Sequence, residues 1–175
     1  MTSIPPDSEP DGEPMSDEQW ERIQEDIAEW DRRVAATCYK IGRFVYAFSQ
    51  MEHAIKSFLA DNLGLDKQHR DAVLSNMDFA RACDTLEAIL NISLASDPHG
   101  RLRSLRSLVG QAKKLNADHR LVVAHGVWER AEQGLVARKV SREKAVARYY
   151  YEQQGELDRA ADAAMGIVLA LHAFE

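Results

Sequence analysis

The chain has 175 residues, 45% of them apolar and 29% charged, with 22 lysines and arginines against 28 aspartates and glutamates for a net charge of −6. One domain with a proper core is the expectation at this length. Its most apolar run, "MGIVLALHAF", is ten residues long and too short to span a bilayer, and the opening "MTSIPPDSEPDGEP" has neither the basic nor the apolar stretch of a signal peptide, so neither a membrane span nor a signal peptide is expected and the cytoplasm is the expected location.

Taken in chain order, residues 1–15 come first as a Pro- and acid-rich tail with little to bury, expected to be disordered. The charge is unevenly divided. Residues 1–31 hold eleven acids and one base, whereas residues 99–148 hold twelve bases and four acids. A basic region able to meet phosphates therefore exists inside an acidic chain. Ser16 followed by Gln19 is a capping box. Apolar residues then fall at Trp20, Ile23, Ile27, Trp30, Val34, Cys38, Ile41, Val45, Phe48, Ile55 and Leu59, the spacing of one helical stripe. A straight helix over 17–62 would be roughly 70 Å long, more than a compact bundle of this mass spans. The sequence thus predicts either a bend or break near residues 31–35, or a projecting first half whose Trp20–Val34 seam needs a partner surface. Position 52 belongs to the stripe but holds Glu52. An unpaired carboxylate on an inward face is costly, so Glu52 either sits at the edge of the stripe or holds a cation, with Arg120 or a histidine as candidates.

Residues 66–75 are predicted as a short helix. Asp78 caps the next, which buries Phe79, Cys83, Leu86, Ile89 and Leu90. The only cysteines, Cys38 and Cys83, form no CxxC pair and are read as two buried thiols. Asp97-Pro98 opens a long helix over about 98–125, buried through Leu102, Leu105, Val109, Ala112, Leu115 and Val123 and ended by Gly126. "VWERAE", "QG" and "LVARKV" predict a β-hairpin, to which "AVARYYY" adds a third strand. A last helix over about 156–174 buries Leu157, Ala161, Met165, Val168 and Leu171. The expected fold is mainly α: a four- to five-helix bundle forming one domain over 16–175, with a small β-hairpin or meander before the last helix.

The chemistry gathers in residues 115–128, "LNADHRLVVAHGVW". No P-loop, GxGxxG, GxSxG or HExxH occurs anywhere. His119 and His125 lie six apart with no acidic or cysteine ligand at metal spacing, so neither a metal nor a cofactor is expected. What remains is Arg120 with His125, an R-x4-H pair, with Asn116 one turn before Arg120. RNA transesterification needs a group that moves the proton of a 2′-hydroxyl and a cation at the developing phosphorane; a histidine suits the first and the bidentate arginine fork the second. Five residues at about 100° each set the two roughly 140° apart on an ideal helix. Either the helix unwinds before Gly126 or a second chain completes the site. Arg101, Lys113 and Lys114 could meet an RNA backbone, and Trp128 a base, although such aromatics also close cores. His119 is read as satisfying core polar groups.

Three segments in order, "FSQMEHAI", "FARACDTLEAIL" and N-x3-R-x4-HGxW, resemble bacterial proteins of the HEPN superfamily over roughly residues 40–175. The resemblance implies a metal-independent endoribonuclease whose site forms at a homodimer interface. Arg120 and His125 would be its catalytic pair, with Asn116 and Glu52 in support and RNA as partner. The family often has a polar residue straight after the arginine, where this chain has Leu121, and many relatives are structural rather than catalytic. Two other readings therefore stand beside it. One is a non-catalytic scaffold that binds a partner protein or a nucleotide. The other is a toxin held by an antitoxin.

Overall fold

The computed structural model describes residues 15–93, 100–132, 134–140 and 147–174; the acidic tail, the Asp97-Pro98 helix start and Gln133 of the turn lie outside them. Ser16 starts the first helix as its sequence implies. Its hydroxyl accepts the Gln19 backbone N–H at 3.3 Å, and the Gln19 side-chain oxygen Oε1 accepts the Ser16 N–H at 2.9 Å. From there α1 runs without a break from Asp17 to Asn62. No break occurs near residues 31–35, and the first half projects. No described residue before Phe44 is buried, whereas Phe44, Phe48, Met51, Ile55 and Leu59 are at most 2% exposed.

The remaining elements pack around that buried half. Helix α2 (Lys67–Leu74) begins at Asp66, whose carboxylate accepts the His69 N–H at 3.0 Å. Helix α3 (Phe79–Ser93) is capped by Asp78 through the Arg81 N–H at 2.8 Å. A third rod begins with α4 (Arg101–Leu115), passes through a π-helical turn (Asn116–Arg120) and ends as α5 (Leu121–His125). Three strands follow, β1 (Val127–Ala131), β2 (Gly134–Val140) and β3 (Ala147–Tyr150), as an antiparallel meander in sequence order. Helix α6 (Glu156–His172) closes the chain. The fold is mainly helical, with a small three-stranded sheet before the last helix. Among the described residues no helix is long and apolar enough to cross a membrane.

Helix α6 makes the largest helix–helix packing, against α1. Its inward face alternates small and branched residues, Ala160, Ala161 and Ala164 with Leu157, Ile167 and Leu171, so the two axes can approach closely. Arg43 of α1 reinforces the pair by bonding Asp158 at 2.8 Å and also reaching Asp162. Leu102, Val123 and Met165, expected inside, are half-buried against the same core. The two cysteines divide. Cys83 is buried, and burial pushes its thiol up to about 12; Cys38 is exposed, which corrects its expected burial. Cys38 belongs to the apolar stripe, but at that level of α1 the stripe has little to pack against.

The sheet fixes where the projecting arm leaves the body. Gly134 opens β2 with φ +125°, and a Cβ there would lie 2.8 Å from Thr37 Oγ1 and 3.1 Å from the Arg33 carbonyl oxygen. Only glycine fits both the backbone and the space. The Arg33 guanidinium donates to the Glu132 carbonyl at 2.6 Å, and the Arg130 guanidinium lies 4.9 Å from the centre of the Trp30 ring. The hairpin thus grips α1 at residues 30–37, and every described residue before Trp30 is exposed.

Candidate functional site

The long helix changes its winding at the motif itself. The Leu121 N–H donates to the Asn116 carbonyl, five residues back, so Asn116–Arg120 form a π turn. Such single wide turns are rare and occur often at functional sites. Asn116 and Asp118 are weak helix formers, which lowers the cost of the irregular turn. None of its five residues is fully buried; Asn116, His119 and Arg120 are half-buried.

His119 enters a column of aromatic rings. Its ring centre is 6.0 Å from that of Phe44, edge-on, and 5.9 Å from that of Tyr151, stacked. Tyr151 in turn stacks on Trp128 at 5.7 Å, the two planes only 7° apart. The Tyr151 hydroxyl donates to the His119 carbonyl at 3.3 Å. Tyr151 has φ +66°, the left-handed region that a bulky residue occupies only under constraint; the two stacking contacts and the hydroxyl bond supply that constraint. His119 Nδ1 is buried and has no hydrogen-bond partner among the described residues. Burial pushes the imidazole pKa down, against the opposing pull of Asp118 and Glu156. The sequence expectation that His119 satisfies core polar groups is not met by its imidazole, which serves as an apolar surface with Nδ1 unpartnered among the described residues. Trp128 belongs to this packed column.

Arg120 points to a different neighbour. Its guanidinium carbon lies 5.9 Å from the centre of the Phe48 ring, a cation–π contact. It makes no salt bridge among the described residues. The half-buried Lys40, Lys56, Arg70, Lys113 and Arg138 all have carboxylate partners; Arg120 and Lys139 are the half-buried cations without one among the described residues. Asn116 lies one turn before Arg120 on nearly the same face. Glu52 is half-buried one turn beyond Phe48, yet it pairs with Lys56 of its own helix at 2.8 Å rather than with Arg120 or a histidine.

His125 is the exposed last residue of α5. Gly126 stops the helix, as its sequence position implies, but for a reason of space. Its backbone is extended, at φ −72° and ψ 151°, and a Cβ would come within 2.5 Å of the Val122 carbonyl oxygen, which its N–H contacts at 2.7 Å. The chain stays α-helical from Leu121 to His125, so the helix does not unwind between the pair, and the angular separation of roughly 140° remains. On an α-helix this spacing sets Arg120 and His125 on different sides.

The expected RNA contacts divide in the same way. Lys113 bonds Asp84 at 2.7 Å and Glu87 at 3.0 Å, which ties α4 to α3 and raises its pKa. Arg101 bonds the Phe174 carbonyl and stacks on that ring. Lys114 is exposed and makes no ion pair among the described residues. A cleft of about 170 Å³ beside the motif is lined by His119, Arg148 and Tyr149–Tyr151 with Glu152 and Glu156; neither Arg120 nor His125 reaches it. Phe48, which seats Arg120, and Tyr151, which seats His119, were not singled out as site residues from the sequence. The tyrosine run gave a signal for the second; nothing local marks the first. Comparison of the chain with profiles of protein families, with curated proteins and with solved structures finds no match.

Proposed function

We propose that the chain is a HEPN-like homodimer that cleaves single-stranded RNA without a metal, at a composite site where Arg120 of one copy and His125 of the other meet one phosphate. The observation that carries this reading is the Arg120 guanidinium. It is half-buried, held over Phe48, and has no carboxylate among the described residues, although nearly every comparable cation does. A desolvated cation without a counter-ion is costly and is well disposed to accept a phosphate. In the reaction the 2′-oxygen forms a bond to phosphorus as the bond to the 5′-oxygen breaks, leaving a 2′,3′-cyclic phosphate. His125 takes the 2′-hydroxyl proton and returns a proton to the departing 5′-oxygen. Arg120 neutralises the charge that grows on the phosphorane oxygens.

The test is incubation with single-stranded RNA in EDTA. The expected result is cleavage with cyclic-phosphate ends, reduced on the order of 100- to 1000-fold by Arg120→Ala and by His125→Ala with melting temperatures preserved. Wild-type protein that leaves diverse RNAs intact would overturn it. A second reading has its own observation, the exposed apolar arm of α1: the chain is then a non-catalytic interaction protein, or a toxin whose arm meets its antitoxin.

A further inference from the structure

The cleft of about 170 Å³ beside the motif is occupied by neither Arg120 nor His125, and its walls are aromatic. His119 and Tyr151 line it together with Tyr149 and Tyr150. Tyr151 is buried, whereas Tyr149 is 46% exposed and within reach of a ligand. The left-handed backbone of Tyr151 turns the chain out of β3, and Glu156 in the first turn of α6 lines the same opening. The volume is well below the roughly 300–1,000 Å³ of pockets that enclose a drug-sized ligand and suits one flat ring system.

The polar groups of this opening are of both signs. The Glu156 carboxylate is half-buried and makes no hydrogen bond or ion pair among the described residues. It lies near enough to His119 and Tyr151 to act on both electrostatically. The start of a helix favours its ionised form, so it offers acceptors and no donor. Arg148 is exposed, lies over the Tyr150 ring at 5.4 Å and has no carboxylate partner among the described residues. Glu152 lines the opening as well, so carboxylates outnumber the one cation, which disfavours a phosphate here. The ligand that fits is flat and uncharged, with adjacent donors on one edge and acceptors on the next. Guanine is the base with that pattern: N1–H and the 2-amino group lie side by side, and O6 and N7 follow them. Adenine has an acceptor where guanine has N1–H.

We propose that the cleft seats one guanine of a single-stranded RNA. The ring stacks on Tyr149, N1–H and the 2-amino group donate to the Glu156 carboxylate, and Arg148 donates to O6. Bases of single strands are read in this way, by stacking on aromatic side chains and by hydrogen bonds to their edges. The cleft adjoins the motif helix at His119, one residue before Arg120. This inference rests on RNA as the substrate in the reading above and names the base selected beside the cut.

The test is a nuclear magnetic resonance titration of the full chain with GMP, IMP and AMP. GMP should bind about 10- to 100-fold more tightly than AMP, the worth of one good bidentate pair, and IMP, which lacks the 2-amino group, should fall between them. Glu156→Gln should remove the preference for GMP over AMP with the melting temperature preserved. Arg148→Ala, at an exposed position, should reduce it, and Tyr149→Ala should weaken all three nucleotides alike. On RNA in EDTA, the cuts of wild type should cluster at guanines and those of Glu156→Gln should not. Equal binding of GMP and AMP, binding of neither, or a preference that survives Glu156→Gln overturns the inference and leaves the cleavage reading to its own assay. Selective binding of GMP by a protein that leaves RNA intact overturns the cleavage reading alone.

Discussion

His119 is half-buried, its ring stacked on Tyr151 and edge-on to Phe44, and this burial sets how it responds to acid. Burial lowers its pKa in the fold, outweighing Asp118 and Glu156, which raise it, and adding to Lys114, which lowers it. The unfolded chain therefore takes up a proton near pH 6.5 while the folded chain resists it. The stability that depends on His119 is full above that pH and is lost as the pH falls below it. Melting temperatures taken from about pH 7.5 down to about pH 5.5 should fall, and His119→Phe, which keeps the stack, should flatten the slope. An equal slope in the variant would show that other groups govern the transition. Glu52 gives a contrasting case. Its partner is Lys56, four residues on and partly exposed, so Glu52→Gln should cost only about 0.2–0.5 kcal/mol, not the several kcal/mol of a broken buried pair; chemical denaturation measures the difference. The sequence pattern located Glu52 on the inward stripe but carried no information on its partner. The nearest cation along the same helix satisfies it without any tertiary contact.

At the scale of elements, the hairpin's grip on α1 depends on one glycine. Gly134→Ala would put a methyl group against Thr37 Oγ1 and the Arg33 carbonyl at φ +125°. It should destabilise the protein by about 1–3 kcal/mol in urea unfolding. A neutral result would mean that the hairpin can lift from α1 without loss. The boundaries of α1, α3, the meander and α6 were legible because each follows from local chemistry: the Ser16–Gln19 box, the Asp78 cap, the strand runs around Gly134, and the three–four apolar spacing. The π turn was not legible. The apolar residues on either side of it, Leu115 and Val122, are seven apart and fit a regular helix, and only the backbone bond from Leu121 to Asn116 reveals the wider turn. Gly126 was legible as a stop but not in its reason, the close approach of its Cβ position to the Val122 carbonyl oxygen, which only the backbone angles reveal. Cys38 was misread because period alone cannot show where a stripe runs out of partners.

For the whole molecule, the two sides of the motif helix have different work. Its inner side seats His119 among rings and Arg120 over Phe48; its outer side carries Lys114, Leu121 and His125 into solvent. The R-x4-H spacing was plain in the sequence, and so was the angle that separates the pair. What the sequence withheld was whether the helix would unwind to bring them together, and it stays α-helical. In the proposed chemistry the two residues therefore come from two copies.

The most direct test of that account mixes the two dead variants. Arg120→Ala and His125→Ala are each assayed on single-stranded RNA in EDTA, then combined in equal amounts and allowed to exchange subunits. If each site takes its arginine from one copy and its histidine from the other, a mixed dimer holds one intact site and one doubly defective site. Half of the dimers should be mixed, each with one working site of two, so the mixture should recover about a quarter of wild-type cleavage. A mixture as inactive as its components, alongside an active wild type that sediments as a dimer, would contradict the composite site.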